Sequence, residues 1–480
     1  PLFPPQRTPD GRVTPWVPFH FQWAQCIGAV ILREITISSG AHTLQKYSGR
    51  YLLSAAQRDL PADKLAQFYD MIGNVPDLVD PANAGARVNT YPNAVFSQPA
   101  ADAGLGQMPS IPARQLLVPL GAWFSLAPSQ AFPLIAARSS EPLTIKIAFR
   151  PVAEWFTIRD VTDALNDYPV VAPNPNLPHM LMHQFLQSPP NAHLRYTDTR
   201  TAWNADIHLV GCFAFLADDE RRWFTQSAEV KYVIKQVNET VFHGLSDSAT
   251  LPVPAPSGLV AGWMFFLQRS DAPLRNQWTN YTNWPYQDML PIDVIAAPTV
   301  GDMPNLLPLG PPGVPATIGP GLNPDGTMTG LFITAPFSPL NERSILRSMA
   351  ILFNGAPREP LMSHAVYAFL DNFRKTTGRA PPGLYCYAFG LHTSDLPYGP
   401  CGAVDMANVA RVELALTMLS PPIDPLARTF AVCDPETGQT VAVNRQHWRI
   451  HEYQYSFVLL EERYNFLRIH DGTVGLQYAN

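Results

Sequence analysis

Charge is what this sequence has least of. Charged side chains make up 15% of the 480 residues, against about a quarter in ordinary soluble domains, and the balance is slightly acidic at -6. No basic arm or basic run occurs. Pairing of Lys and Arg with phosphate supplies most of the affinity for nucleic acid, so direct packing on nucleic acid is not expected. Cysteine is scarce as well: Cys26, Cys212, Cys386, Cys401 and Cys433 are an odd number at scattered spacings, with no CxxC pair. A disulfide framework and a zinc ribbon both need more, and the five read as reduced thiols in a cytosolic compartment. No apolar run approaches the roughly 20 residues that span a bilayer, and the amino end lacks the charged-then-apolar pattern of a signal peptide. The expectation is a soluble chain with no transmembrane segment. Spacings for dinucleotide, P-loop, zincin, nucleophile-elbow and EF-hand sites are all missing, which points away from an enzyme and leaves no catalytic, cofactor or metal residues to name.

Proline is what the chain has in excess. Its 50 prolines are about a tenth of the residues, roughly double the usual share. Proline fits poorly inside helices and central strands, so this abundance implies many strand edges and long ordered loops, hence an all-β protein. The length suits two domains or three. Hydrophobic residues at 46% with so little charge suggest surface buried against other subunits, although loop-rich composition gives similar figures.

The chain is organised around residues 206 to 241. Ile207 to Leu216 is a short apolar run rich in Val, Ile and Phe, the pattern of a strand buried on both faces. Asp218 then suits an N-cap, with Asp219 and Glu220 in the first turn of a short helix through Arg221, Arg222, Trp223 and Phe224. A second strand follows, in which Tyr232, Ile234 and Gln236 alternate with Val233, Lys235 and Val237, closing at Val241.

Elsewhere, Phe19 to Ser38 is strand-like and Gly40 marks a turn. Leu65, Phe68, Tyr69 and Ile72 have helical spacing within a helix expected over 62–72, stopped by Gly73. Residues 75–113 read as a long ordered loop and Leu116 to Leu126 as a strand. Trp263 to Leu267 is a buried-strand candidate, and 271–343 is the largest loop region, of a size that usually has a function or a partner. Ser348 to Phe353 runs into Asn354-Gly355, a hairpin signal.

Chemistry-bearing residues outside these patterns are few. His179 and His183, like His447 and His451, have i, i+4 spacing but no third ligand nearby, and read as ordinary polar or interfacial histidines. Asp218, Asp219 and Glu220 serve capping better than a glycosidase pair, which needs carboxylates across a cleft. Arg221 and Arg222 either tie the acidic turn to a neighbouring loop or subunit or are solvated. Asn238-Glu239-Thr240 and Asn280-Tyr281-Thr282 fit the glycosylation triplet and are taken as chance.

The order of residues from Asp219 to Gln226, with Tyr232 to Val237 behind it, resembles the signature that opens the second jelly roll in major capsid proteins of nucleocytoplasmic large DNA viruses, the group of iridoviruses and chlorella viruses. Ile27 to Tyr51, Leu116 to Phe149, Ser348 to Gly355, Pro382 to Phe389 and Tyr464 to Asn480 are similar to further pieces of that family in the same order. At Gly399 to Asp405 the family's Pro-Ser-Gly turn is degraded, and about two strands that family members carry have no counterpart upstream of Trp16, which suggests an amino-terminal segment beyond the given sequence, or other structure in place of those strands. The resemblance implies two tandem eight-stranded antiparallel jelly rolls, a double jelly roll with long Pro-rich loops and short helices. The first would span 1–203, with no match to the family's amino-terminal strands, and the second 204–480. It further implies a major capsid protein whose homotrimer forms a pseudo-hexagonal capsomer of an icosahedral shell, assembled in the host cytoplasm and found in the virion. Its partners would be neighbouring capsomers and minor capsid proteins, with an inner viral membrane nearby that it need not touch. The loops at 75–113 and 271–343 are then expected to crown the trimer. Rival readings are a minor or penton-type capsid protein, and a β-sandwich glycan-binding protein or glycosidase.

Overall fold

A computed structural model of the chain describes residues 21–81, 84, 114–137, 142–160, 169–177, 180, 206–227, 229–254, 258–287, 343–393, 400–419 and 453–478. To these it adds the strand segments Leu2–Phe3, Val17–Pro18, Gly319–Leu322, Met328–Ile333, Phe430–Cys433 and Thr440–Asn444, which pair as three two-stranded hairpins.

In the amino-terminal half, β1 (Phe21–Trp23) leads into a single helical turn, α1 (Ile27–Val30), and then β2 (Leu32–Ser39). The strand-like reading of Phe19 to Ser38 is therefore corrected at its centre. Ile27 to Val30 are all buried, and a helical turn hides four consecutive apolar residues where a one-faced strand cannot. Gly40 turns the chain at φ 55° into β3 (His42–Tyr47). Ser48 then caps α2 (Gly49–Asp59), its Oγ accepting from the Tyr51 amide. Gly49 is required there, because a Cβ would sit 2.0 Å from the Ala29 carbonyl oxygen. The expected helix stands as α3 (Ala62–Ile72), and Gly73 ends it at φ 81°.

Leu116 to Leu126 is not a strand. Residues 114–122 join no sheet, and Trp123–Leu126 form a helical turn. Here alternation gave way to packing: Trp123 is buried in the core with Val118, Leu120 and Phe124 against it, and Tyr47 Oη donates to the Leu120 carbonyl at 2.7 Å. The strand at Ile145 is β4 (Leu143–Phe149), followed by β5 (Phe156–Arg159) and β6 (Val170–Val171). These strands make two three-stranded sheets, β3-β2-β4 and β1-β5-β6.

The carboxyl-terminal half is a complete roll. Its strands are β7 (Glu229–Leu245), β8 (Ser248–Pro252), β9 (Leu259–Arg269), β10 (Leu346–Phe353), β11 (Ala356–Ser363), β12 (Leu384–Ala388), β13 (Val412–Met418) and β14 (Tyr455–His470). One sheet runs β7-β14-β9-β12 and the other β8-β13-β10-β11, all pairs antiparallel. Numbered from β7, that is order 1-8-3-6 facing 2-7-4-5, the double Greek key of a jelly roll. The Asn354-Gly355 turn joins β10 to β11 with both residues at positive φ, 51° and 80°, as a two-residue hairpin requires.

Between the two sheets lie Trp263, Phe265 and Leu267 from β9, Leu346, Met349 and Ile351 from β10, Tyr385 and Tyr387 from β12, Leu414 and Leu416 from β13, and Phe457 and Leu459 from β14. The alternate residues of β9, Met264 and Phe266, point the other way and pack with Leu384, Cys386, Val458, Leu460 and Tyr281, against Tyr51 and Ala55 of α2. This sheet is covered on both faces, which is why Trp263 to Leu267 is apolar without interruption.

β7 and β14 are 17 and 16 residues long and paired along nearly their whole length, a ribbon of roughly 50 Å. One end of β14 pairs with β9, and the other pairs with β15 (Thr473–Leu476). There Val230, Ile234, Leu467, Ile469 and Val474 enter the amino-terminal core beside Ile35, Ile37, Leu44 and Trp123. The ribbon belongs to both cores.

Candidate assembly surfaces

The opening stretch folds only in part as its sequence suggests. α4 (Asp218–Gln226) forms, and β7 follows it as expected, longer than read. The N-cap position falls on Ala217 rather than Asp218, and Glu220 reaches back so that its Oε2 accepts from the Ala217 amide at 3.0 Å. The larger correction concerns Ile207 to Leu216. It joins no sheet and makes no backbone hydrogen bond to another described residue. Its side chains are exposed, Phe215 at 98% and Val210 at 80%. A strand that is apolar on both faces needs a layer on each side, and the described residues of the chain supply neither.

A second apolar surface lies on the roll. β11 is an edge strand, and it leads into a helical segment made of Val366–Leu370 and α5 (Asp371–Lys375). Tyr367 is buried and anchors the segment, its hydroxyl donating to the Met349 carbonyl at 3.1 Å. Phe369, Leu370 and Phe373 face outward, with Leu361 of β11 and Leu391 exposed as well. Leu391 is held near them because the Thr393 amide donates to the Lys375 carbonyl at 2.9 Å.

Two buried charge clusters make the halves one body. In the first, Arg58 at the end of α2 makes a two-pronged contact with Glu462 of β14, Nη1 to Oε2 at 2.9 Å and Nη2 to Oε1 at 3.0 Å. Tyr51 Oη donates to Glu462 Oε1 at 2.9 Å, Lys235 Nζ lies 3.6 Å from Oε2, and Arg58 also holds Asp59. Burial pushes the Glu462 carboxyl upward, but Arg58 and then Lys235 outweigh it and hold the group down at about 2. In the second cluster Asp271 accepts from both Arg269 and Arg275, at 2.7 and 2.6 Å for its Oδ2. Burial raises its carboxyl and the two arginines more than offset that, to about 2. Arg269 stacks over Tyr453 at 3.7 Å and donates to the Asn283 carbonyl, while Asn283 Oδ1 accepts from Tyr453 and Tyr455.

This second cluster fixes the described start of the long loop, 271–287. That loop crosses to the amino-terminal half, where Asn276 donates to the carbonyls of Ala153 and Phe156, and Trp278 to that of Glu154. Sequence reading missed both clusters. Asp271 and Arg275 do stand at i, i+4, but nothing local marks Arg58 as the partner of a residue four hundred positions away.

Of the weighed candidates, Asp218, Asp219 and Glu220 lie exposed in the first turn of α4 and line no cleft. Arg222 approaches Asp219 at 3.5 Å, both well exposed. Asn280 is 3% exposed and donates to the Trp284 carbonyl, leaving no room for a glycan, and Asn238 stands within β7 opposite Glu461. His179, His183, His447 and His451 lie outside the described residues, as does most of the 75–113 loop. Cys26, Cys212, Cys386 and Cys401 are free thiols, with Cys212 exposed within 207–216. Among the described residues no group of three potential ligands gathers for a metal ion, and no helix is long and apolar enough to cross a membrane.

The fold is shared with capsid proteins. The structure matches the quasi-atomic model of the PBCV-1 virus capsid with a TM-score of 0.52 at 16% identity, over 96% of this chain and 88% of that one. It matches the crystal structure of PBCV-1 VP54, fitted into a reconstruction of the virophage Sputnik, with a TM-score of 0.51 at 15% identity and the same coverage. These likenesses show a fold shared with double jelly-roll capsid proteins. In sequence the chain is 26% identical over 147 residues to the major capsid protein of Frog virus 3 (isolate Goorha), and equally to that of Rana tigrina ranavirus. The match takes in 30% of this chain and about a quarter, 26%, of those relatives' length. No model of a known protein family matches. The resemblance to major capsid proteins of large DNA viruses thus holds in fold and, over that stretch, in sequence.

Proposed function

We propose that this chain is a shell-forming major capsid protein, whose homotrimers act as pseudo-hexagonal capsomers of an icosahedral virion. The observation that carries this reading is the joint between the halves. A ribbon shared by two cores, a buried Arg58–Glu462 pair and a loop stitched across both halves make one stiff body of two β units. Three such bodies around a threefold axis present six similar units, which suits a site of sixfold outline in a flat lattice. The reading takes 1–203 as a first eight-stranded roll and 204–480 as the second. Its partners are two further copies, neighbouring capsomers and minor capsid proteins, with assembly in the host cytoplasm and no enzymatic role.

Light scattering of the purified chain at micromolar concentration tests this, together with electron microscopy of the concentrated protein. The expected result is a species of three chain masses that packs into hexagonal sheets. A monomer at every concentration, or a pentameric ring, would overturn it, the ring in favour of a penton-type role.

A further inference from the structure

Packed protein leaves few voids larger than a water molecule, yet a partly enclosed cavity of about 330 Å3 stands at the seam between the halves. That volume is at the low end of the roughly 300 to 1,000 Å3 usual for small-molecule sites. Gln57 of α2, Tyr69 of α3 and Asn74 beyond it line the cavity from the amino-terminal half, and Thr279 and Gln287 line it from the described start of the long loop. Gln57 is 4% exposed and donates its Nε2 to the Tyr69 hydroxyl at 3.0 Å, while its Oε1 is buried with no hydrogen bond. Turning the amide round moves the deficit without curing it, since one end meets Tyr69 and the other is left over. Asn74 Oδ1 accepts from the Cys26 amide at 3.3 Å, and Gln287 Oε1 from Thr279 Oγ1 at 2.8 Å. The side-chain NH2 of each, Asn74 Nδ2 and Gln287 Nε2, meets no acceptor among the described residues.

We propose that this cavity binds a neutral, polyhydroxylated ring of monosaccharide size. None of the described lining residues carries a charge. Asp77 and Asp80 stand near in sequence but outside the lining, and Arg58, next to Gln57, is engaged by Asp59 and Glu462. A phosphate, carboxylate or ammonium would therefore give up its water and gain no counter-charge. A hydroxyl both accepts and donates, so adjacent ring hydroxyls accept from Asn74 Nδ2 and Gln287 Nε2 while one of them donates to Gln57 Oε1. The apolar lining residues Pro76 and Val79 suit the C–H bonds of the ring. A peptide offers the same donors and acceptors, but its chain must leave at both ends, and a partly enclosed cavity favours a compact molecule. Because both halves supply lining residues, the bound ring adds a link across the seam, whether or not three chains assemble.

Saturation-transfer NMR on the full chain tests this, with glucose, galactose, mannose and N-acetylglucosamine as probes at millimolar concentration. At least one of the four should receive saturation, and its addition should raise the melting temperature, as a ligand of the folded state alone does. Sugars excluded from protein surfaces stabilise any fold, so the rise is measured against that of Asn74→Asp and Gln287→Glu. Each of these keeps the oxygen that accepts from Cys26 or Thr279 and removes only the unpaired NH2. Both variants therefore fold, as circular dichroism will register, and each should weaken binding about tenfold. Gln57→Leu removes the unpaired acceptor and should likewise weaken binding, with little loss of stability in the absence of sugar. Silence from all four sugars, or equal binding by wild type and the three variants, would overturn the assignment. So would tighter binding of glucose 6-phosphate or of a neutral amidated tripeptide than of the free sugars, the first pointing to an anion and the second to a peptide. None of these results bears on trimer formation, which light scattering reads separately.

Discussion

Glu462 is a carboxylate 2% exposed that meets Arg58, Tyr51 and Lys235, and its cost or benefit to the fold depends on keeping all three. Its folded-state value of about 2 lies below the roughly 4.3 of a free glutamate. A carboxyl depressed in this way binds fewer protons folded than unfolded. The stability it contributes is complete above the unfolded value and is lost as the pH falls toward the folded one. Asp271, also at about 2, acts in the same direction over the same window. Thermal melts are therefore expected to show the midpoint falling steeply between about pH 4.5 and pH 2, with little change from pH 5 to 7. Glu462→Gln leaves Arg58 buried with only Asp59 as a charged partner, and breaking such pairs costs about 3 kcal/mol. The variant should melt lower at neutral pH and fall less steeply in acid, and parallel wild-type and variant profiles would refute the assignment.

Among the elements, those whose pattern follows from local packing were legible in the sequence, and those decided by distant partners were not. Ala62–Ile72 was legible because its apolar stripe and the Gly73 stop are both local, and the Asn354-Gly355 hairpin because two positive φ angles select those residues. The unbroken run from Trp263 to Leu267 correctly signalled a doubly covered strand. The same signal at Ile207 to Leu216 misled, since it reports that two layers are wanted and not whether the same chain provides them. α2 went unread in the sequence, and its role as the cover of β9 depends on residues two hundred positions on. For the same reason no local pattern marks β7 and β14 as shared by two cores. Leu467, fully buried at the far end of β14, tests that sharing. Leu467→Ala should cost about 2 to 5 kcal/mol. If the ribbon couples the halves, denaturant unfolding followed by hydrogen exchange will show β2 and β3 losing protection together with β9 and β10. Two separate transitions, of which the variant moves only one, would mean that the cores are independent.

At the scale of the molecule, the low charge noted at the outset acquires a location. Among the described residues, ten of the eighteen exposed large hydrophobic side chains lie within 207–216 or around β11 and α5. Exposed, they are a liability to a lone chain, and covered by a neighbour they stabilise the folded form alone, since an unfolded copy offers neither surface. Mass action then makes stability depend on protein concentration: a partner that binds only the folded state raises the melting temperature by an amount that grows with the logarithm of its concentration. A closed trimer should accordingly show a melting temperature that rises over a hundredfold range of chain concentration. Phe215→Glu, at a side chain 98% exposed in the isolated chain, should flatten that rise if residues 207–216 take part in the contact and leave it unchanged if they do not. Scanning fluorimetry across the range separates the cases, because a concentration-independent wild type would place the apolar surfaces outside any contact between copies.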